Sequence, residues 1–444
     1  MTEIESYATA LRQYSTTIQV MSDPGELRHY GVDGMLPRLA IIPETVEQVS
    51  QAVALANQRN LTLFTRGGGS RLNLGGIPVP FDILVETTKL TRLLEHEAPD
   101  LTCHVEAGIT LAELQAKLAL KGQWLALDPP DAQQATIGGI LASNASGPKR
   151  LRYGTARDMV IGLRVVQASG EIARSGGNVV KNVAGYDLNK LYIGSLGTLG
   201  ILVEANFKLQ PFPTNERTLL LTFAHVEGAM ATVIALMGSL LTPSAIELIE
   251  SNAANDMDDF FGLTLPTDGY SLAVNFEGSA ASIDRQIDET QLLARHNDAL
   301  LVDDLDGKTQ SEFWNIVREH TKGTVTCKAT VLLSKMPGYL KDIKQVCEKY
   351  QLEAAVLAHA GNGILYIELR PVDATLRLVE AIKELRLFAQ EERGSMVVEC
   401  CPSDLKRRIS IWGEPDQNFF LMQRIKRQFD TKGTFVKGRF LGGL

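Results

Sequence analysis

Residues 176–211 read GGNVVKNVAGYDLNKLYIGSLGTLGILVEANFKLQP. The second half sets Gly194, Gly197 and Gly200 three positions apart, within Gly194-Ser195-Leu196-Gly197-Thr198-Leu199-Gly200-Ile201. It runs directly into the alternating segment GILVEANFKL, residues 200–209, which predicts a strand ended by Pro211 and Pro213. Two earlier stretches share the glycine pattern: Arg66-Gly67-Gly68-Gly69-Ser70 and Thr136-Ile137-Gly138-Gly139. A phosphate needs N–H donors with no Cβ in the way. Taken together, the three stretches predict a site built mainly from backbone amides and closely approached by a large anionic ligand.

Upstream, residues 38–60 read as a strand and then a helix, with Thr45 and Gln48 spaced as a capping box. Residues 61–66, LTLFTR, form a short strand ending in the glycine loop, and Asp82 to Glu86 form the next. Residues 101–107 are a further strand, after which Thr110 and Glu113 open a helix that Gly122 stops. Residues 159–174 read as a hairpin turning at Ser169-Gly170. RGGGS is not GxGxxG, and the RLNLGG after it starts no helix, which removes the dinucleotide-binding turn of strand, glycines and helix. Asp128-Pro129-Pro130 stiffens the backbone ahead of Gly138-Gly139. Beyond Pro213, strands are expected at 218–224, 271–276, about 328–334 and about 363–370, with helices between them. That alternation predicts an α+β domain with an antiparallel sheet and helices on one face. The expected divisions are an N-terminal helical segment 1–34, a ligand-binding domain 35–212, a second domain 213–414 and a C-terminal segment 415–444.

Composition bounds the function. The chain has 444 residues, 45% hydrophobic and 22% charged, as an ordinary globular protein of two or three domains has. A net charge of −8 argues against nucleic acid as a partner. The basic tail residues Arg424, Lys426, Arg427, Lys432, Lys437 and Arg439 read as a solvated face. The polar N-terminus MTEIESYATALRQY has no apolar signal-like core, and no run approaches the ~18 apolar residues of a membrane span. A cytoplasmic location is therefore expected, with any contact to the inner membrane made through partners. Cys103, Cys327, Cys347, Cys400 and Cys401 include no CxxC spacing, which fits a reducing compartment and leaves no cradle for an iron–sulfur cluster.

In order, RGGGS, TIGG, GPKRLRYG (147–154), VVKNVAGYDL and GSLGTLGI resemble the FAD-binding domain of the vanillyl-alcohol oxidase / para-cresol methylhydroxylase superfamily. Within it, GPKRLRYGTARDMVIGLRVV (147–166) and VVKNVAGYDLNKL (179–191) are most similar to the FAD-binding E subunits of bacterial glycolate oxidase (glycolate dehydrogenase). The likeness spans about 35–212. It returns in the tail at Phe429-Asp430 and at Gly438 to Gly443, where the family's prolines near Thr431 and Lys437 are absent. The resemblance implies an α+β fold: a two-subdomain FAD-binding domain of the para-cresol methylhydroxylase type, an α+β cap with an antiparallel sheet, and a tail returning to the FAD domain.

The resemblance also implies site residues. Arg66, Gly67, Gly68, Gly69 and Ser70 wrap the pyrophosphate of FAD. Pro130, Thr136, Gly138 and Gly139 line the flavin side, and Ser143, Gly200 and Ile201 add contacts. Lys181, Asn182, Tyr186 and Asp187 support the loop near the ring. Some relatives tether the flavin through a histidine where Ser70 stands here, so a non-covalent FAD is expected. Related dehydrogenases of D-2-hydroxy acids clamp the substrate carboxylate with an arginine and a lysine, matched by Arg318 and Lys328. They also hold a metal with two histidines and a glutamate. His359 in Ala358-His359-Ala360-Gly361-Asn362-Gly363 matches the first histidine, but Tyr366 stands at the second. Glu399-Cys400-Cys401 replaces the family's glutamate–histidine–glycine. Such a set is too small for a stable metal site, and none is expected. His359 then remains as a group that assists proton removal.

The implied function is an FAD-binding subunit of a glycolate dehydrogenase complex. Its implied partners are a second flavoprotein subunit and an iron–sulfur subunit, and its substrate a small 2-hydroxy acid. The alternatives are a self-sufficient dehydrogenase for D-lactate or a similar acid, and a non-catalytic scaffold with a degenerate flavin fold.

Overall fold

The computed structural model describes residues 2–177, 186–261, 269–321, 323–371 and 373–444. The chain forms two units. Unit 1 comprises Met1–Ser146, Thr155–Phe212 and Glu414–Leu444; unit 2 comprises Gly147–Gly154 and Pro213–Gly413.

The strands of unit 1 are β1 (Gln19–Met21), β2 (Leu39–Ile42), β3 (Leu63–Arg66), β4 (Ile83–Glu86), β5 (Leu93–Glu97), β6 (Thr102–Glu106), β7 (Gln123–Trp124), β8 (Val160–Val166), β9 (Ile172–Gly176), β10 (Ile201–Lys208) and β11 (Gln210–Pro211). A four-stranded sheet runs β1-β2-β4-β3, with β2, β4 and β3 parallel. The all-apolar LAII of β2 suits a parallel strand covered on both faces. The crossover from β2 to β3, at the far end of that order, is the helix Val46–Gln58, capped where the Gln48 N–H donates to Thr45 Oγ1 at 3.2 Å. The expected capping box is displaced by one residue: the Gln48 amide oxygen accepts from Glu44 N–H at 2.6 Å, not from Thr45. A second, antiparallel sheet runs β5-β6-β10-β8-β9. One apolar core, including Ile41, Val49, Val53, Val85, Val166, Ile201 and Val203, draws on both sheets.

The C-terminal tail completes the first sheet. Leu63 N–H donates to Thr434 O at 2.7 Å and Val436 N–H to Leu63 O at 2.9 Å, so the tail lies parallel beside β3. It is pinned from within the helix Phe419–Phe429. There the buried Lys426 ammonium donates to Asp430 Oδ2 at 2.6 Å and Thr198 O at 2.8 Å. Asp430 in turn accepts the N–H groups of Thr434 and Phe435.

Unit 2 is an eight-stranded antiparallel sheet built from β12 (Asn215–Phe223), β13 (Ala245–Glu250), β14 (Tyr270–Gly278), β15 (Leu301–Leu305), β16 (Thr326–Thr330), β17 (Glu353–His359), β18 (Ile364–Arg370) and β19 (Ser395–Cys400). Their order is β15-β12-β14-β13-β17-β18-β16-β19. Four of these strands, β13, β15, β17 and β19, were not expected from the sequence. The strand expected at 328–334 begins two residues earlier and ends at Thr330, before a short turn at Leu333–Lys335.

Helix placement also needs correction. The helices Val226–Met237, Ala280–His296, Met336–Tyr350 and Thr375–Glu391 supply residues to the larger core on one face. The helices Ser251–Phe261 and Gly307–Glu319 pack Ala253, Met257, Phe313, Trp314 and Val317 on the other. Strand alternation explains why both are possible: Ala355, Leu357, Ile364 and Tyr366 face one core, and Val356, Ala358, Leu365 and Ile367 the other. Among the described residues no helix is long and apolar enough to cross a membrane.

Candidate functional site

Unit 1 holds a cleft lined by Arg66 to Leu72, Thr136, Gly139, Ser143, Leu196 and Arg439. β3 delivers the chain to the glycine loop. A Cβ on Gly67 would stand 2.1 Å from Thr136 Oγ1, and one on Gly68 1.8 Å from Gln134 O, so no other residue fits without moving the loop. Gly69 has φ +85°, in the left-handed region that favours glycine. Among the described residues, nothing in the chain accepts from the N–H groups of Gly67, Gly68, Gly69 or Ser70. Four consecutive donors without partners fit an anion such as a pyrophosphate. The Arg66 guanidinium is spoken for: Nη1 donates to His29 O at 2.9 Å and Nε lies 3.3 Å from Glu86. What Arg66 offers the cleft is its place in the loop, not a free charge.

Thr136 begins a helix, Ile137–Ser143, that its two glycines hid from sequence reading. Its Oγ1 accepts from Gly139 N–H at 3.3 Å, and the Ser143 hydroxyl donates to Gly139 O at 2.7 Å. Gly138 has a packing reason: its N–H donates to Ala107 O at 2.7 Å, and a Cβ would press on Ala107 at 3.1 Å. Gly200 is similar, with Val165 Cγ1 2.5 Å from a Cβ. The Ile201 side chain is wholly inside the core and Pro130 is buried. Tyr186 is 95% exposed, and Asp187 lies 3.8 Å from Lys190. Lys181 and Asn182 lie outside the described residues.

Sequence reading missed two parts of this cleft. Leu196 has φ +53°, and its N–H donates to Ala142 O at 2.9 Å, tying the 194–197 turn to the helix beside the glycine loop. Arg439, taken for part of a solvated face, is buried. It donates to Asp33 and to the carbonyls of Leu72, Leu74 and Gly76. Lys426 corrects the same expectation, being buried as well.

Unit 2 gathers a polar patch on one face of its sheet. Glu247 on β13 is directly opposite His359 on β17, and Lys328 on β16 opposite Tyr366 on β18. His359 Nδ1 lies 2.7 Å from Glu247 Oε1, and its ring meets Tyr366 edge-on at 5.1 Å. Lys328 Nζ is 3.2 Å from Glu399 Oε1 and 5.4 Å from the Tyr366 ring centre. Burial, then the charges of Lys328 and Arg150, push His359 down to about 3, so the imidazole is neutral. Burial alone would lower Lys328, but Glu399 and Tyr366 together outweigh it and hold the ammonium above its ordinary value.

The segment 147–154 reaches the same face. Lys149 pairs with Glu277 at 2.6 Å and Glu216 at 2.8 Å, and the Tyr153 hydroxyl donates to Glu277. The expected clamp is thus altered. The structure brings Lys328 and His359 together, but the arginine whose charge acts on His359 is Arg150, not Arg318. Arg318 lies on the helix Gly307–Glu319 and donates to Asn315 on the same helix. Among the described residues no cluster of three or more His, Cys, Asp or Glu could hold a metal ion.

Comparison with known proteins agrees with this architecture. Residues 37–176 match the FAD binding domain family, and residues 212–439 match the C-terminal domain of the FAD linked oxidases. The chain is 30% identical over 427 residues to the D-lactate dehydrogenase of Archaeoglobus fulgidus, covering 90% of each. It is 27% identical to the glycolate oxidase subunit GlcD of Bacillus subtilis, covering 91% of this chain and 89% of that one. In fold it is similar to p-cresol methylhydroxylase, with a TM-score of 0.77 at 17% identity, covering 97% of this chain and 95% of that one. The chain belongs to the FAD-linked oxidases, and its cofactor is FAD.

Proposed function

We propose that this chain is an FAD-binding subunit of a glycolate dehydrogenase complex and takes part in oxidising glycolate to glyoxylate. The observation that carries the reading is the unit 2 patch: two cations, Lys328 and Arg150, beside a neutral buried imidazole. Cations suit a carboxylate, and a neutral imidazole suits a hydroxyl proton. Bound FAD supplies the two-electron acceptor for the hydrogen on the substrate carbon. The amides of Gly67 to Ser70 hold its pyrophosphate, Thr136, Gly139 and Ser143 border it, and Ser70 leaves it untethered. Arg318 has no part in the clamp.

Electrons then leave through partners: a second flavoprotein subunit and an iron–sulfur subunit, which also fix the complex at the cytoplasmic face of the inner membrane. Three of the chain's five thiols are poorly suited to a relay or a cluster. Burial pushes Cys103 and Cys327 up to about 12 and Cys347 up to about 11.

A second reading, a self-sufficient dehydrogenase for D-lactate or a similar acid, draws on the same imidazole and its intact Glu247 partner. The test is the visible spectrum of the purified chain, taken anaerobically with glycolate and with D-lactate. A flavin band that bleaches in the isolated chain supports the self-sufficient reading. A band that bleaches only after partner subunits are added supports the complex. A colourless protein that takes up no added FAD sinks both.

A further inference from the structure

Glu247 and His359 face each other across β13 and β17 with side chains 0% and 1% exposed. With its carboxylate ionised Glu247 only accepts, and the 2.7 Å contact then puts the ring proton on Nδ1 and the lone pair on Nε2. That Nε2 is buried and no group in the described chain donates to it. A buried acceptor left unmet costs about 1–3 kcal/mol, so the site is complementary to a ligand that brings a hydroxyl. The charged and titratable groups facing the ring are Glu247 on β13, Tyr366 on β18, Lys328 on β16, Glu399 on β19 and Arg150 on the segment 147–154. The two cations whose charges act on the ring, Lys328 and Arg150, favour a hydroxyl that has a carboxylate next to it.

We propose that Glu247 is ionised and acts as a positioning residue: it holds His359 in the Nδ1–H form, so that Nε2 takes the hydroxyl proton of a 2-hydroxy acid. The inference rests on the substrate class proposed above. The O–H proton passes to Nε2, and the O–H electron pair forms the carbonyl. The hydrogen on the substrate carbon departs with its own pair to the bound flavin, leaving a 2-oxo acid. Glu247 offsets the charge the ring gains, which Lys328 and Arg150 oppose.

The test is Glu247→Gln in the full-length, FAD-loaded protein. With its NH2 turned to Nδ1 a glutamine amide donates and moves the ring proton to Nε2; with its oxygen turned there it accepts but no longer offsets the charge the ring gains. Anaerobic flavin reduction at saturating acid falls by about 10²–10⁴-fold, with flavin content and acid affinity within about threefold of the parent. A second readout needs no turnover: the imidazole 15N shifts of His359, assigned by their loss in His359→Asn. They show a bare Nε2 in the parent. An Nε2–H ring in the parent overturns the proposal. So does unchanged flavin reduction in Glu247→Gln. Flavin that no 2-hydroxy acid reduces in the parent, even with partner subunits, overturns the substrate reading and the proton role with it.

Discussion

The glycine loop of unit 1 and the polar patch of unit 2 recognise charge by opposite means. The loop offers four backbone N–H groups and leaves no room for a Cβ at Gly67 or Gly68, so its chemistry comes largely from what its residues lack. The patch draws its charges from side chains on three strands and one short segment, spaced up to 249 positions apart between Arg150 and Glu399 (399 − 150). A backbone site fails when anything is added to it. A side-chain site fails when something is taken away.

The largest break should come in the loop. Gly68→Ala puts a methyl into Gln134 O and is expected to abolish FAD retention while far-UV circular dichroism stays near that of the parent. An alanine variant that purifies with a full flavin band removes the steric account.

Next comes Lys328→Met, which is expected to keep FAD and raise the half-saturating acid concentration about 10–100-fold, as loss of a charge-assisted hydrogen bond of about 1.5–3 kcal/mol requires. Flavin loss in this variant would erase the contrast between the two sites.

A smaller and sharper comparison sets Arg150→Ala against Arg318→Ala. The first should weaken acid binding about tenfold, and the second should change it less than about twofold, because only Arg150 acts on the patch. Titration of the flavin spectrum with a 2-hydroxy acid reads both.

The last prediction concerns acid. His359 sits at about 3 in the fold against an ordinary 6.5, so the unfolded chain binds the proton more tightly. Its contribution to stability is complete above pH 6.5 and is lost as the pH falls toward 3. Denaturant melts of the parent and of His359→Asn should therefore converge across that window, by on the order of a few kcal/mol. Parallel curves would show that the ring is not held neutral.

The same contrast explains what could be read in advance. Gly67, Gly68 and Gly69 announce themselves as a run, although what requires two of them, Thr136 and Gln134, lies 69 and 66 positions away (136 − 67, 134 − 68). The short strand Leu63–Arg66 and the helix capped by Thr45 follow from apolar runs and caps of a few residues. Ala245–Glu250 was hidden because Glu247 interrupts its apolar run, and that glutamate is there for His359, 112 positions away. Arg150 lay in plain view within GPKRLRYG, but nothing local distinguishes it from Arg152 or Lys149. The helix Ile137–Ser143 opens with Gly138 and Gly139, which its own propensity opposes and its packing on Ala107 requires. Arg439 shows the limit most clearly: its basic neighbourhood reads as solvated, and its partners are carbonyls more than 360 positions upstream.

The parallel segment at Thr434 to Val436 sets a schedule for synthesis. The sheet that carries the glycine loop lacks its edge until those residues leave the ribosome, whereas unit 2 is complete once Gly413 has emerged. The later-numbered unit can thus finish folding before the earlier one, whose glycine-loop sheet closes only afterwards. A chain cut short by a dozen residues would carry a finished cap and an unfinished flavin site.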